Sequence, residues 1–273
     1  MTQIKIASWN VNSINARLEN LLFWLKETKP DVVLLQEIKC EENNFPLQPI
    51  TDLGYNVAIF GQKSYNGVAI LSKFPLQDVI KNLDTNDPQS RYIEALICVP
   101  DQAIRVASIY VPNGGAELLP NQKANESDKF LYKMKFFNQI HNHLQSLLKH
   151  NEIAVFGGDY NVAANDIDVY DPISLKNTVC FHLDEQKKFR QILNLGYLDS
   201  FRIANPNTQN FSWWDYRGNC WAYNKGMRID YLLTSPKATD CLTSAFMDDK
   251  MMMERTKPSD HCPVVVTLDL RNL

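Results

Sequence analysis

Short apolar runs recur along this chain, and they keep ending on side chains that can bind a metal or move a proton. The clearest is Ile153-Ala154-Val155-Phe156, which leads into Gly157-Gly158-Asp159-Tyr160-Asn161. An uninterrupted apolar run of that length suits a strand covered on both faces, and the paired glycines are expected to let the backbone turn where side chains would block close approach. Asp159 and Asn161 lie two apart, so an extended segment would point them the same way. Alone, the stretch reads equally well as a turn with a solvated Asp and Asn. Repetition of the pattern favours a site.

Ile4 and Ile6 alternate with polar or small residues in a first strand that delivers Asn10 and Asn12. Val32-Val33-Leu34-Leu35 ends in Gln36-Glu37, where an unpaired charge at the mouth of a buried strand would be costly. Arg91 to Val99 and Ile104 to Tyr110 read as a strand pair running into Tyr110-Val111-Pro112-Asn113-Gly114-Gly115. Arg228 to Leu233 is a further strand, with Arg228 and Asp230 expected to face a cleft. Asp260 and His261 sit on a Pro-bracketed loop before a closing strand, Val264 to Leu270. Tyr55 to Phe60 and Gly67 to Ser72 look like a meander.

Helices are expected over Arg17 to Lys29, Ser127 to Lys149 and Asp184 to Asn194, the second burying Phe130, Met134, Phe137, Leu144 and Leu148. His141 and His143 on that helix read as partly solvated. Asp166, Asp168 and Asp171 form an acidic loop without the Gly and terminal Glu of a calcium loop, so a plain loop is expected. Phe211 to Tyr216 concentrates aromatics that either pack the core or stack on sugars and bases.

With 273 residues and 45% hydrophobic content the chain can bury a large core, and no linker is visible, so one domain spanning 1–273 is expected. A net charge of -3 excludes a generally basic nucleic-acid coater but not a nucleic-acid enzyme with a metal-neutralised site. The 6 cysteines are scattered without zinc-site spacing, which fits a reducing compartment. No basic start leads into an apolar stretch, and no apolar run reaches the roughly 20 residues of a membrane helix. A cytoplasmic protein with no membrane contact is expected.

Asn10, Asn12, Glu37, Tyr110, Asp159, Asn161, Asp230, Asp260 and His261 come from the whole length of the chain, and only a fold that gathers strand ends at one rim would use them jointly. Around them stand Ser8-Trp9-Asn10-Val11-Asn12, Leu35-Gln36-Glu37-Ile38-Lys39, Asn56 to Lys63 with Gly67-Val68-Ala69, Tyr110-Val111-Pro112-Asn113-Gly114, Gly158-Asp159-Tyr160-Asn161, Phe211 to Tyr216, Arg228-Ile229-Asp230 and Ser259-Asp260-His261. In that order, from end to end, the sequence resembles bacterial exonuclease III and the related abasic-site endonucleases of the exonuclease-endonuclease-phosphatase superfamily. The resemblance implies an α/β (α+β) four-layered sandwich, with two mixed β-sheets packed face to face, helices outside and the site at one rim. The residues' own pattern of many short strands and about four helices agrees with that class without selecting it.

A phosphodiester is anionic and its leaving alkoxide is poor, so its hydrolysis calls for charge neutralisation, a positioned water and stabilisation of the leaving oxygen. Carboxylate and amide oxygens without a thiolate suit a hard cation, so Mg2+, or Mn2+, is expected over zinc. The resemblance implies that Glu37 is the principal metal ligand, with Asn10, Asp260, Asp159, Asn161 and His261 around the ion. It implies catalytic roles for Tyr110, Asp159, Asn161, Asp230 and His261, Asp230 fixing the tautomer of His261, and substrate contacts for Asn12, Arg91, Asn113, Trp213, Met227 and Ile229. Whether Asp159 or the Asp230–His261 pair takes the proton stays open. Ala116 stands where some relatives carry an arginine that reaches into duplex DNA, and Met227 replaces a bulky aromatic found in others. The expected partner is double-stranded DNA with abasic sites or 3′ ends, acted on by a monomeric DNA-repair nuclease. The alternatives are a phosphatase or phosphodiesterase of the same superfamily on a non-DNA substrate, and a catalytically silent DNA-binding module.

Overall fold

The computed structural model describes residues 3–100, 102–115, 123–250 and 256–272, so Ala116 lies outside the described residues. In chain order the strands are β1 (Gln3–Asn10), β2 (Val32–Gln36), β3 (Asn56–Phe60), β4 (Val68–Ser72), β5 (Leu76–Lys81), β6 (Tyr92–Val99), β7 (Gln102–Tyr110), β8 (Ile153–Asp159), β9 (Leu198–Asp199), β10 (Trp213–Trp214), β11 (Gly226–Met227), β12 (Asp230–Thr234), β13 (Leu242–Met247) and β14 (Val264–Asp269). The helices are α1 (Leu18–Thr28), α2 (Leu47–Thr51), α3 (Asp128–Leu147), α4 (Leu183–Leu193), α5 (Ser200–Ala204) and α6 (Pro236–Asp240). One 6-stranded sheet has the order β13-β14-β1-β2-β4-β3 and the other β5-β6-β7-β8-β12-β9, with β10 and β11 forming a separate hairpin. Both sheets are mixed: β1 runs parallel to β2 and β7 parallel to β8, while β14 and β12 run against them.

The wholly apolar strands have two cores to fill. Side chains alternate across a strand, so Val32 and Leu34 of β2 pack between the sheets while Val33 and Leu35 meet Leu21, Trp24 and Leu25 of α1. In β8, Ile153 and Val155 enter the same inter-sheet core. Ala154 and Phe156 turn outward to Phe136, Phe137 and Ile140 of α3 and Phe189 of α4. Each such side chain contributes roughly 1.5–3 kcal/mol by leaving water, and helix, sheet, sheet and helix stack as the expected four layers. β1 lies over β8, β2 over β7 and β4 over β6.

This topology gathers the strand ends. The C-terminal ends of the parallel pairs β1/β2 and β7/β8 carry Asn10, Glu37, Tyr110 and Asp159 to one rim. The antiparallel partners β12 and β14 begin there, with Asp230 opposite Asp159 and Val264 opposite Ser8.

Three local expectations are corrected. Gly157 and Gly158 do not form a turn but continue β8. A Cβ at Gly158 would lie 1.9 Å from the Ile109 carbonyl oxygen, and one at Gly157 would lie 2.6 Å from both Leu232 and Leu34, so the glycines admit neighbours rather than bend the chain. Asn161 shares the cavity with Asp159 through a turn at φ 49°, not through continued extension. Arg228 does not face the cleft with Asp230. Fully buried, it donates from Nε to Asp168 at 2.7 Å and places Nη1 2.7 Å from Asp199. Asp168 also takes Arg202 at 2.6 Å, so the acidic loop is an ion-pair anchor and no cation loop. His141 and His143 are partly exposed as expected, and His143 Nε2 lies 2.7 Å from the buried Glu94. No helix of the described residues is long and apolar enough to cross a membrane.

Candidate active site

Asn10, the last residue of β1, links the two sheets. Its Nδ2 donates to Glu37 Oε1 at 2.8 Å and to Asp159 Oδ2 at 3.0 Å, while its Oδ1 accepts the Asn12 backbone N–H at 3.0 Å. Glu37 follows β2 in the left-handed region at φ 50°, a turn that aims its carboxylate across the rim. It is not without a partner, because Lys39 Nζ lies 2.6 Å from Oε2. Burial pushes the Glu37 carboxyl up, but the Lys39 ammonium and the Asn10 amide outweigh it and hold the group below its usual range.

His261 is fixed from several sides. Its Nδ1 lies 2.8 Å from Asp230 Oδ2, its N–H donates to Ser259 Oγ at 3.2 Å, and its carbonyl accepts Trp9 Nε1 at 2.9 Å. Asp230 Oδ2 also accepts Ser212 Oγ at 2.6 Å, and Ser212 Oγ in turn takes the Asp230 N–H at 3.1 Å. Pairing through Nδ1 turns Nε2 towards Asp159, 3.8 Å from its Oδ2. Burial lowers the imidazole's proton affinity, but Asp230, Asp159 and Asp260 raise it to about 10. Asp159 moves in the same direction, which for a carboxylate means losing its charge. Burial and Asp230 push it up to about 7, Glu37 adding to the rise while His261 and the Asn161 N–H oppose it.

Asn161 donates from Nδ2 to the Val111 carbonyl at 2.9 Å and accepts Asn113 Nδ2 at Oδ1, 3.0 Å away. Tyr110 carries Arg91 over its ring at 4.7 Å, and burial with Glu37 and Asp159 nearby raises its phenol well above the ordinary value. Asp260 has its oxygens on Asn12 Nδ2 at 2.9 Å and Trp213 Nε1 at 3.1 Å.

These groups open onto a cavity of about 440 Å³. Glu37, Tyr110, Asn113, Asp159, Asn161, Asp260 and His261, with the ion-paired Asp215 and Arg217, make its polar side, and Val179, Cys180, Trp213, Met227 and Ile229 its apolar side. Asn12 and Arg91 are not on this lining; Asn12 holds Asp260 and Arg91 lies over the Tyr110 ring. Ligand atoms of Glu37, Asp159 and His261 lie within 4.8 Å of one another. The two carboxylates fit a divalent cation with oxygen preference, while His261, charged beside Asp230, stands next to them as a donor. The one thiol on the lining, Cys180, is held protonated by burial and sits 3.5 Å from Asn161 Oδ1, so it offers no soft ligand. Asp260, expected among the metal ligands, is outside this cluster, with both oxygens held by Asn12 and Trp213. Sequence reasoning gave no role to Lys39, Ser212, Val179 or Cys180. Lys39 lies two residues from Glu37 and Ser212 inside the aromatic stretch Phe211 to Tyr216, but what each bonds depends on the fold, and Val179 and Cys180 carry no local signal.

A model of the endonuclease/exonuclease/phosphatase family matches residues 7–261. Exodeoxyribonuclease III of Haemophilus influenzae is 32% identical over 271 residues, 96% of this chain and 98% of the relative. Among solved structures, an AP endonuclease from Archaeoglobus fulgidus superposes with TM-score 0.89 at 37% identity, covering 97% of this chain and 99% of that one. The 3′ phosphatase NExo from Neisseria, bound to a product DNA hairpin, gives TM-score 0.90 at 34% identity over 97% and 99% of the two chains.

Proposed function

Because the chain belongs to the endonuclease/exonuclease/phosphatase family, we propose that it is a metal-dependent DNA-repair nuclease hydrolysing phosphodiester bonds of duplex DNA. It incises 5′ to abasic sites and removes nucleotides or blocking groups from 3′ ends with the same centre, in keeping with the likeness to an AP endonuclease and to a 3′ phosphatase. Residues 1–273 act as one catalytic domain, as a cytoplasmic monomer.

The observation that carries this reading is the convergence of Glu37, Asp159 and His261 on one side of a cavity whose other side is apolar. Mg2+, or Mn2+, would be held chiefly by Glu37 with Asp159 beside it, and when bound supplies positive charge to the phosphate. Asn10 keeps both carboxylates aimed at one point. Asp159, in that cluster and bonded to the Asn161 N–H, is placed to orient an attacking water and accept its proton. His261, kept cationic by Asp230, serves the phosphate as a charged donor, which makes Asp159 the base of the two candidates. Tyr110 and Asn161 face phosphoryl oxygens as neutral donors, while Asp260 acts through Asn12 and Trp213.

Labelled duplexes that are intact, nicked or carry a tetrahydrofuran abasic analogue test this, each with Mg2+ and with chelator. We expect incision 5′ to the analogue and shortening of 3′ ends in Mg2+, neither with chelator, and a loss of about a hundredfold or more in both for Glu37→Gln. Degradation of intact 3′ ends with the internal analogue left uncut would make a dedicated exonuclease the better reading.

A further inference from the structure

Among the described residues, a wholly buried ammonium lies next to the site that the chemistry above does not use. Lys133 lies on α3 among apolar side chains, and both it and Glu185 of α4 are wholly buried. Its Nζ donates to Glu185 Oε1 at 2.5 Å, to the Asn161 carbonyl at 2.7 Å and to the Asn113 carbonyl at 3.0 Å. An ammonium has three protons, so its capacity is filled. Two of the three acceptors are main-chain groups of the site amides themselves, and those amides are bonded to each other, Asn113 Nδ2 to Asn161 Oδ1 at 3.0 Å.

The surroundings are shaped to this contact. Gly114 adopts φ +83°, and a Cβ there would lie 2.8 Å from Lys133 Cδ, so the loop after Tyr110 rests directly on the lysine stem. Glu185 is fixed in turn, its Oε2 accepting the His182 N–H at 3.1 Å where α4 begins. Filling space would be served as well by two apolar side chains, since replacing a buried ion pair in that way is often neutral or stabilising. An apolar pair, however, would not tie two carbonyls from separate loops to one point.

We propose that Lys133 is a positioning residue that sets Asn113 and Asn161 together against the reacting phosphate. This rests on the reading above that these amides engage phosphate. Lys133 bonds none of Glu37, Asp159 and His261 directly, so its effect on the reaction passes through the two amides.

The informative variant removes both charges, because Lys133→Met alone strands a buried carboxylate. Lys133→Met with Glu185→Leu should melt below wild type, because two buried carbonyls lose their donor, yet still fold, and should lose about tenfold to a hundredfold in kcat on an abasic duplex, with KM little changed. In an Asn161→Ala background the same pair should cost clearly less than in the wild type, since only Asn113 is then left for it to position. Lys133→Gln with Glu185→Gln, which keeps neutral hydrogen bonding, should fall between and serves if the apolar pair does not fold. A well-folded apolar variant with wild-type kcat, or an undiminished loss in the Asn161→Ala background, overturns the positioning role alone. If Asn161→Ala by itself leaves kcat unchanged, the phosphate-binding reading fails and this role fails with it.

Discussion

Asp159 is a carboxylate held in place against its own electrostatics, and the cost should be measurable. An unfolded Asp ionises near pH ~4, whereas in the folded chain burial and Asp230 keep the proton on until about 7. Across that window the folded protein binds more protons than the unfolded one, so stability falls as pH rises from ~4 to about 7 and stays reduced above. His261 has the same sign: raised to about 10, it contributes fully below ~6.5 and loses that contribution as pH climbs through its folded value. Asp159→Asn should therefore be inactive yet melt higher than wild type at pH 8, by about 1 kcal/mol, with little difference at pH 4. Metal-free thermal unfolding at the two pH values checks this, and a variant less stable at both would show that the carboxylate's hydrogen bonds outweigh its charge. Asp159, His261 and Glu37 were legible in the sequence because each ends or precedes an apolar run. Lys133, Ser212 and the pairing of Glu37 with Lys39 were not, since a charged residue inside a helix or a serine between aromatics looks the same whether solvated or buried.

Among the elements, β2, β8 and β14 were legible as continuous apolar runs, having a core on each face. β5 was missed for the opposite reason. As an edge strand it leaves Gln77 to Lys81 exposed, and its pairing with β6 shifts between Gln77 and Ile80, so neither period nor burial marks it. The glycine pair shows a further limit: the two residues were visible, but whether they turn the chain or admit a neighbour depends on strands from elsewhere. Their role yields a direct test. At Gly158 the obstacle to a side chain is the Ile109 main chain of the parallel partner β7, which cannot move without breaking the register that sets Tyr110 beside Asp159. Gly158→Ala should cost about 3 kcal/mol or more, seen as a lower denaturation midpoint or failure to fold. Near-wild-type stability would mean that the sheet shifts freely there.

At the scale of the whole molecule, the working rim needs both sheets and the hairpin between them. Asn10, Glu37 and His261 come from one sheet, Tyr110, Asp159 and Asp230 from the other, and Trp213 and Met227 pair across β10 and β11. The order of motifs made this assembly legible from the sequence, but the shape of the cavity depended on side-chain contacts that no spacing records. On the function proposed above, the hairpin would supply the substrate filter. An abasic deoxyribose swings out of the helix with no stacking to break, whereas a nucleotide with its base must unstack and then fit. A wall of Trp213, Met227 and Ile229 would then offer the bare sugar an apolar surface beside Glu37, Asp159 and His261. Met227 is nearly buried at 6% exposure, so a carboxylate at its position would stand desolvated on a lining that already carries Glu37, Asp159 and Asp260. Met227→Asp should thus lower abasic incision by about a hundredfold, a loss on the scale of a misplaced reactant. Binding to intact duplex should change by no more than about threefold, because those contacts are mostly to phosphate. Gel-shift titration of the intact duplex in Ca2+ and single-turnover incision in Mg2+ separate the two. Equal losses in both would mean that the wall only packs the rim, and selection of the abasic site would have to lie elsewhere on the DNA-facing surface.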